Sequence, residues 1–139
     1  MSGEGSPAVI LEAGWGCWSE HWRLVQERAG RLTATYSYDR AGHGSSDPSG
    51  PWSLEGWLAD LEAWLGAMQV SGPYLLVAHS YGGYIARAFA AAHRPDIAGM
   101  VLVDAAHEDM DDRLPASYRQ RLAEFLPDVD EPSPRPAVT

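Results

Sequence analysis

The 139-residue sequence contains no lysine. All ten of its basic residues are arginines, and 19 acidic residues bring the formal net charge at pH 7 to −9. Without lysine there can be no phosphate-binding loop lysine, no Schiff-base lysine and no Tyr-x-x-x-Lys catalytic pair. The acidic balance argues against nucleic acid, because phosphate binding needs clustered cations. We therefore expect no nucleic-acid partner.

Cysteine and long apolar runs are also scarce. Cys17 is the only thiol, which excludes an intrachain disulfide and fits a reducing compartment. No apolar run reaches the ~18 residues that a membrane span needs. The first seven residues have neither the basic nor the apolar region of a secretory signal. These absences predict a cytoplasmic protein with no membrane partner.

Short apolar runs alternate with segments of helical periodicity along the chain. Uniformly apolar strands that alternate with helices are typical of a parallel sheet covered on both faces, so the predicted fold class is α/β. Ser53 is a good N-cap for the second helix. The predicted strands cover residues 8–11, 34–38, 74–78 and 99–103, and the predicted helices cover 19–31, the stretch after Ser53, 84–93 and about 115–125.

The turn after the third predicted strand carries the most specific chemistry. It reads Ala78-His-Ser-Tyr-Gly-Gly83 between a strand and a helix. A serine hydroxyl is a weak nucleophile unless its oxygen is exposed and aimed at a base, and a tight strand-to-helix turn lifts Ser80 out of the sheet edge. The helix N-terminus that follows favours a developing oxyanion. The pattern predicts Ser80 as the nucleophile of an acyl transfer.

Four motifs in the same order resemble the α/β-hydrolase superfamily. The segment that ends in Gly14-Trp-Gly16 is similar to the family's third strand and oxyanion loop, and Ala78 to Gly82 is similar to its nucleophile elbow, with alanine where the family has glycine. The other two motifs are Tyr38 to Asp47, which resembles the loop after the fourth strand, and Val101 to Asp104, which resembles the sixth.

The resemblance implies a partial α/β-hydrolase fold, with a mostly parallel sheet and helices on both faces. The core would occupy residues 1–109, and residues 110–139 would begin the lid region and end in a proline-rich tail. Family members begin with two strands before the one at Ala8, and only seven residues precede it here, so the first two strands would be missing. The family's acid and histidine come late in the chain, but no histidine follows His107. The sequence is therefore expected to be an incomplete member that lacks the triad histidine.

The resemblance also implies site residues. Ser80 would attack a carboxylic ester or a related small acyl substrate, and the backbone N–H groups of Trp15 and Tyr81 would hold the oxyanion. Some members carry the triad acid where Asp104 stands, although a loop-capping role is the alternative. His107, three residues later, is a candidate substitute base. No metal or organic cofactor is implied.

Other interpretations stay open at this point. Gly14-Trp-Gly-Cys-Trp-Ser19, followed by Asp39 after the next strand, approaches the layout of a dinucleotide-binding domain, although two tryptophans would crowd a pyrophosphate. A non-catalytic homologue that binds a small ligand is a second alternative. Cofactor-free haloperoxidases and C–C bond hydrolases share the same elbow, and the sequence leaves the oligomeric state open.

Overall fold

The computed structural model describes residues 1–48, 52–113 and 115–117. In this part of the chain, strands and helices alternate as the sequence predicts, with two single 3₁₀ turns between them. The elements are β1 (Ala8–Glu12), a 3₁₀ turn (Ser19–Trp22), α1 (Arg23–Ala29), β2 (Thr35–Ser37), α2 (Leu54–Ala67), β3 (Tyr74–His79), α3 (Gly82–Ala92), a second 3₁₀ turn (Arg94–Asp96), β4 (Ile97–Val103) and α4 (Met110–Arg113).

The four strands form one parallel sheet in the order β2-β1-β3-β4. Val77 of β3 lies between Leu11 of β1 and Val101 of β4. The predicted α/β class and parallel sheet are therefore confirmed. Compared with the predicted ranges, β2 is shorter, whereas β3 extends to His79 and β4 begins at Ile97.

Helices α2 and α3 cover one face of the sheet. Their side chains pack against strand residues in a core whose largest side chains are nearly inaccessible to solvent. Burial of a side chain of this size stabilises a fold by roughly 1.5–3 kcal/mol. This cluster includes Ile10, Leu61, Leu76, Ile85 and Phe89. The opposite face has a smaller cluster of Val9, Leu11, Ala13 and Trp22.

Burial is uneven over that opposite face and along β4. None of the seven residues of α1 is buried. Gln26 of this helix donates from Nε2 to the Thr35 carbonyl oxygen of β2 at 3.2 Å, and the buried apolar contact with the sheet comes from Trp22 in the preceding turn. In β4, Val101, Leu102 and Val103 remain 47%, 48% and 43% exposed. β1 lies between two strands and is buried throughout, whereas β4 is the last strand of the described sheet and has no strand on its outer edge.

The ends of α2 follow the predicted sequence signals. Ser53 caps the N-terminus, and its Oγ accepts a hydrogen bond from the backbone N–H of Gly56 at 3.1 Å. At the other end Gln69 takes a left-handed φ of 55°, and the N–H of Val70 donates to the carbonyl oxygen of Leu65 at 2.9 Å. The predicted helix over 115–125 lies largely outside the described residues.

Within residues 1–48, 52–113 and 115–117, none of the helices combines the length and the apolar character that crossing a bilayer requires.

Candidate active site

Ser80 occupies the turn between β3 and α3 with a left-handed φ of 49°. Three backbone hydrogen bonds hold this conformation. The Ser80 carbonyl oxygen accepts from the N–H of Gly83 at 3.0 Å and from the N–H of Ala106 at 2.9 Å. The Ser80 N–H donates to the Val103 carbonyl oxygen at 3.3 Å. A non-glycine residue at positive φ persists only where its surroundings over-determine it, and such residues cluster at functional sites.

The small residues beside Ser80 allow the turn to pack against β1. A Cβ atom at Gly82 would lie 2.7 Å from the carbonyl oxygens of both Glu12 and Ala13, so a side chain at this position would collide with backbone. Ala78 pairs with Glu12 and is completely buried within β3. Its φ is not positive, so alanine is accommodated where the family pattern has glycine.

The loop after β1 approaches Ser80 from the neighbouring strand. A Cβ atom at Gly14 would lie 2.9 Å from His79 Nδ1 and 3.2 Å from Ser80 Cβ. In the described part of the chain, the backbone N–H groups of Trp15 and Tyr81 form no hydrogen bond. Trp15 follows Gly14 and Tyr81 follows Ser80, and the oxyanion role of their N–H groups remains a prediction.

A buried polar network beneath this loop was not anticipated from the sequence. Arg40 Nη1 donates to Glu12 Oε1 and to the Ala13 carbonyl oxygen, each at 2.5 Å, and Arg40 Nη2 donates to the Gly14 carbonyl oxygen. Tyr38 Oη donates to Glu12 Oε2 at 2.6 Å. Arg40 and Glu12 are each only 2% exposed. The network therefore ties the end of β1 to the segment after β2.

Burial governs the electrostatics of this network. Desolvation raises the pKa of Glu12 above its ordinary value and outweighs the opposing effect of Arg40. Burial and the Glu12 carboxylate raise the pKa of Tyr38 well above its usual value. One signal in the sequence does point here, because a glutamate at the end of an apolar strand needs a buried partner.

Aromatic rings surround the same loop. The ring of Trp15 makes edge-on contacts with Trp52, Trp57 and Tyr81, with centroids 5.7, 5.4 and 5.4 Å apart. The Arg40 guanidinium lies 5.7 Å from the centroid of Trp57. Trp57 therefore covers the guanidinium, and the other rings pack around Trp15.

A cleft of about 260 Å³ opens on the face of the sheet opposite α2 and α3, beside the cluster that contains Trp22. Its walls include Gly14, Cys17, His79 and Val103. Because Gly14 and His79 are the residues that lie against Ser80, the cleft reaches the immediate neighbourhood of the predicted nucleophile.

Asp104 and His107 lie on the segment after β4. Asp104 is exposed, has a φ of 43° and comes one position after the register pair of His79 and Val103. The side chain of His107 is 55% exposed, and its Nδ1 accepts a hydrogen bond from the Asp109 N–H at 3.1 Å. In this structure the His107 ring forms no hydrogen bond with Ser80 or Asp104. Catalytic roles for both residues remain predictions.

Asp39, which the dinucleotide interpretation needs free for a ribose, is occupied within the fold. Its two carboxylate oxygens accept from the N–H groups of Ser19 and Ser45, each at 2.9 Å. Burial opposes ionisation of this carboxyl, but these hydrogen bonds outweigh it and lower its pKa. The structure therefore does not support a dinucleotide site here. Among the described residues, no group of three or more His, Cys, Asp and Glu side chains could hold a metal ion.

Comparison with known proteins agrees with this architecture. Residues 7–139 match the sequence profile of the alpha/beta hydrolase family. The chain is 37% identical over 108 residues to the uncharacterized protein YqjL of Bacillus subtilis, covering 77% of this chain and 43% of that protein. It is 33% identical over 102 residues to a pimeloyl-[acyl-carrier protein] methyl ester esterase of Photorhabdus laumondii, covering 73% and 37%.

A solved structure has the same fold. Est816, described as an N-acyl homoserine lactone degrading enzyme, superposes with a TM-score of 0.73 and 21% identity over 89% of this chain and 48% of its own. The chain spans less than half the length of each of these three proteins. With the family profile matched over nearly all of its residues and its strands arranged accordingly, the chain belongs to the alpha/beta hydrolase family.

Proposed function

We propose that this chain carries the nucleophile of a serine hydrolase that cleaves carboxylic esters or related acyl compounds. The observation that carries the proposal is the left-handed conformation of Ser80 at a strand-to-helix turn, directly against the Gly14 backbone. A relative 33% identical in sequence is named as a methyl ester esterase, which supports an ester as the substrate class.

In this mechanism the Ser80 Oγ attacks the ester carbonyl carbon while a base takes its proton. The carbonyl oxygen becomes an oxyanion, which accepts hydrogen bonds from the N–H groups of Trp15 and Tyr81. Helix α3 begins at Gly82, so its N-terminal dipole adds to the favourable potential. The tetrahedral intermediate then expels the alcohol, which receives the proton from the base. The acyl group remains on Ser80 until water releases it as the acid.

The base in this proposal is a histidine supplied by polypeptide beyond these 139 residues. All five histidines of the sequence lie in the described ranges, and none of their rings hydrogen-bonds with Ser80. His79 precedes Ser80, but its ring packs against Gly14 and lines the cleft on the other face of the sheet. A positioned base outside the described contacts is therefore required for proton transfer.

The test is covalent labelling of the protein as its gene encodes it. A fluorophosphonate probe should modify Ser80 alone, as located by peptide mass spectrometry, and Ser80→Ala should abolish both labelling and the hydrolysis of p-nitrophenyl acetate. Ser45→Ala, which removes an exposed hydroxyl from a neighbouring loop, is the matched control and should leave both unchanged.

Retention of hydrolysis by Ser80→Ala would show that the nucleophile assignment is wrong. If neither labelling nor hydrolysis is detected, but an ester raises the melting temperature, the non-catalytic ligand-binding interpretation takes its place.

A further inference from the structure

We propose that Arg40 is the positioning residue of the oxyanion site, because its guanidinium fixes the Gly14–Trp15 peptide group so that the Trp15 N–H faces the reacting carbonyl. The catalytic meaning of this inference rests on the proposed function of Ser80. The contacts themselves do not depend on it.

The geometry of a single peptide group links Arg40 to the oxyanion donor. The Gly14 carbonyl oxygen and the Trp15 N–H belong to the same planar group, and in a trans peptide they point in opposite directions. The Gly14–Trp15 bond is trans, and Arg40 Nη2 donates to the Gly14 oxygen. Holding that oxygen therefore turns the N–H away from Arg40.

The opposite side of the same loop faces the nucleophile. A Cβ atom at Gly14 would lie 3.2 Å from Ser80 Cβ, so the Gly14 backbone lies between the guanidinium and the elbow. Arg40 Nη1 also donates to the Ala13 carbonyl oxygen at 2.5 Å, which fixes the preceding peptide group as well. Arg40 thus contacts two consecutive peptide planes, and the Cys17 N–H is a second donor to the Gly14 oxygen, at 3.2 Å.

The charge of Arg40 reinforces this geometry. A cation bound to a carbonyl oxygen polarises the peptide and strengthens its N–H as a donor. Arg40 is 2% exposed and lies against the ring of Trp57, so water screens its charge weakly. An oxyanion that forms on the far side of the peptide would therefore be stabilised by the strengthened N–H dipole.

Glu12 and Tyr38 hold the guanidinium in turn. Glu12 Oε1 accepts from Arg40 Nη1 at 2.5 Å, while Tyr38 Oη donates to the other carboxylate oxygen at 2.6 Å. The planar fork of arginine reaches three acceptors on the consecutive residues Glu12, Ala13 and Gly14, which the single ammonium of lysine cannot reproduce. Arg40→Lys therefore keeps the charge but loses the simultaneous contacts.

The kinetic test compares Arg40→Lys with the parent protein in its gene-encoded form. For p-nitrophenyl acetate we expect kcat to fall by about 10²-fold, as for the loss of an oxyanion donor, with KM within about threefold. Arg23→Met, which removes an exposed arginine paired with Glu20 and Glu27, is the matched control and should change neither constant.

A spectroscopic readout separates positioning from general stability. With ¹⁵N-labelled tryptophan, Arg40→Lys should move the Trp15 backbone amide resonance while leaving that of Trp64 on helix α2 in place. A folded Arg40→Lys protein with parental kcat overturns the inference, and so does a kcat loss without any shift of the Trp15 amide.

Two further variants keep the inference testable if Arg40→Lys does not fold or if the proposed function fails. If Arg40→Lys does not fold, Tyr38→Phe removes only the hydroxyl that orients Glu12, and it should lower kcat by roughly three- to tenfold at unchanged KM. An unchanged kcat in folded Tyr38→Phe then overturns the inference. If Ser80→Ala keeps full activity, the proposed function fails, yet the Trp15 amide shift in Arg40→Lys still reports whether Arg40 orients this peptide.

Discussion

Ser80 and Asp104 follow directly on the register pair His79 and Val103 at the ends of adjacent parallel strands, and both have left-handed φ values, of 49° and 43°. The carboxyl edge of a parallel sheet is where open α/β folds bind ligands. Residues other than glycine at positive φ cost of order 1–3 kcal/mol each, so two neighbouring examples mark this edge as a place where conformational strain is maintained.

Relief of that strain gives the first prediction. Ser80→Gly should unfold with a free energy about 1 kcal/mol higher than Ser80→Ala, because glycine takes positive φ without the steric cost of a Cβ atom. Urea denaturation of the two variants measures the difference. Gln69→Gly, at the C-terminus of α2 with a φ of 55°, should show a similar gain over Gln69→Ala at a position far from the site. Equal stability of Ser80→Gly and Ser80→Ala contradicts the strain argument.

Two glycine-to-alanine substitutions test the packing of the elbow against β1. Gly82→Ala should lower the free energy of unfolding by about 1–3 kcal/mol, because the new methyl group would lie 2.7 Å from two carbonyl oxygens of β1 and its loop. Gly66→Ala, in α2, meets no atom within 4 Å and should raise it by roughly 0.5–1 kcal/mol through helix propensity. Thermal or urea unfolding measures both changes, and a neutral Gly82→Ala would show that the turn does not pack as described.

The sequence predicted those parts of the site that are encoded locally. The apolar strand, Ser80 and Gly82 are contiguous, so the turn could be recognised from one short segment. The Arg40–Glu12 pair spans 28 residues and could not be assigned, since each residue alone has no identifiable partner. The predicted helix over 19–31 begins instead as a 3₁₀ turn, in which the Ser19 N–H is taken by the Asp39 carboxylate. Such long-range contacts override local propensity.

The buried carboxyl of Glu12 gives a pH-dependent prediction. Desolvation raises its pKa in the folded protein above the unfolded value, so the native state binds the proton more tightly. The corresponding stabilisation is fully present below the unfolded pKa and is lost as pH rises through the folded pKa. As pH rises from the unfolded pKa of Glu12 through its folded pKa, the parent should therefore lose unfolding free energy relative to Glu12→Gln.

Urea denaturation at a series of pH values from about 4 to 8 measures this loss. We expect it to begin at a pH near the ordinary pKa of a glutamate. The control is Glu27→Gln, which removes an exposed carboxylate paired with Arg23. A difference between the parent and Glu12→Gln that is flat over the whole range would mean that Arg40 and Tyr38 compensate fully for burial.

The exposed edge of the sheet gives the last prediction. Val101, Leu102 and Val103 are between 43% and 48% exposed on β4, which has no partner strand on its outer side among the described residues. An unpaired apolar edge offers backbone donors and acceptors to another chain, so the 139-residue chain should associate as its concentration rises. Val101→Lys should shift sedimentation velocity profiles toward the monomer, because a charge at the edge opposes strand pairing.

The control is Leu32→Lys, which changes a residue that is 87% exposed but lies away from β4, and it should leave the sedimentation profile unchanged. A parent chain that stays monomeric at every concentration would show that exposure of these side chains does not suffice for edge pairing.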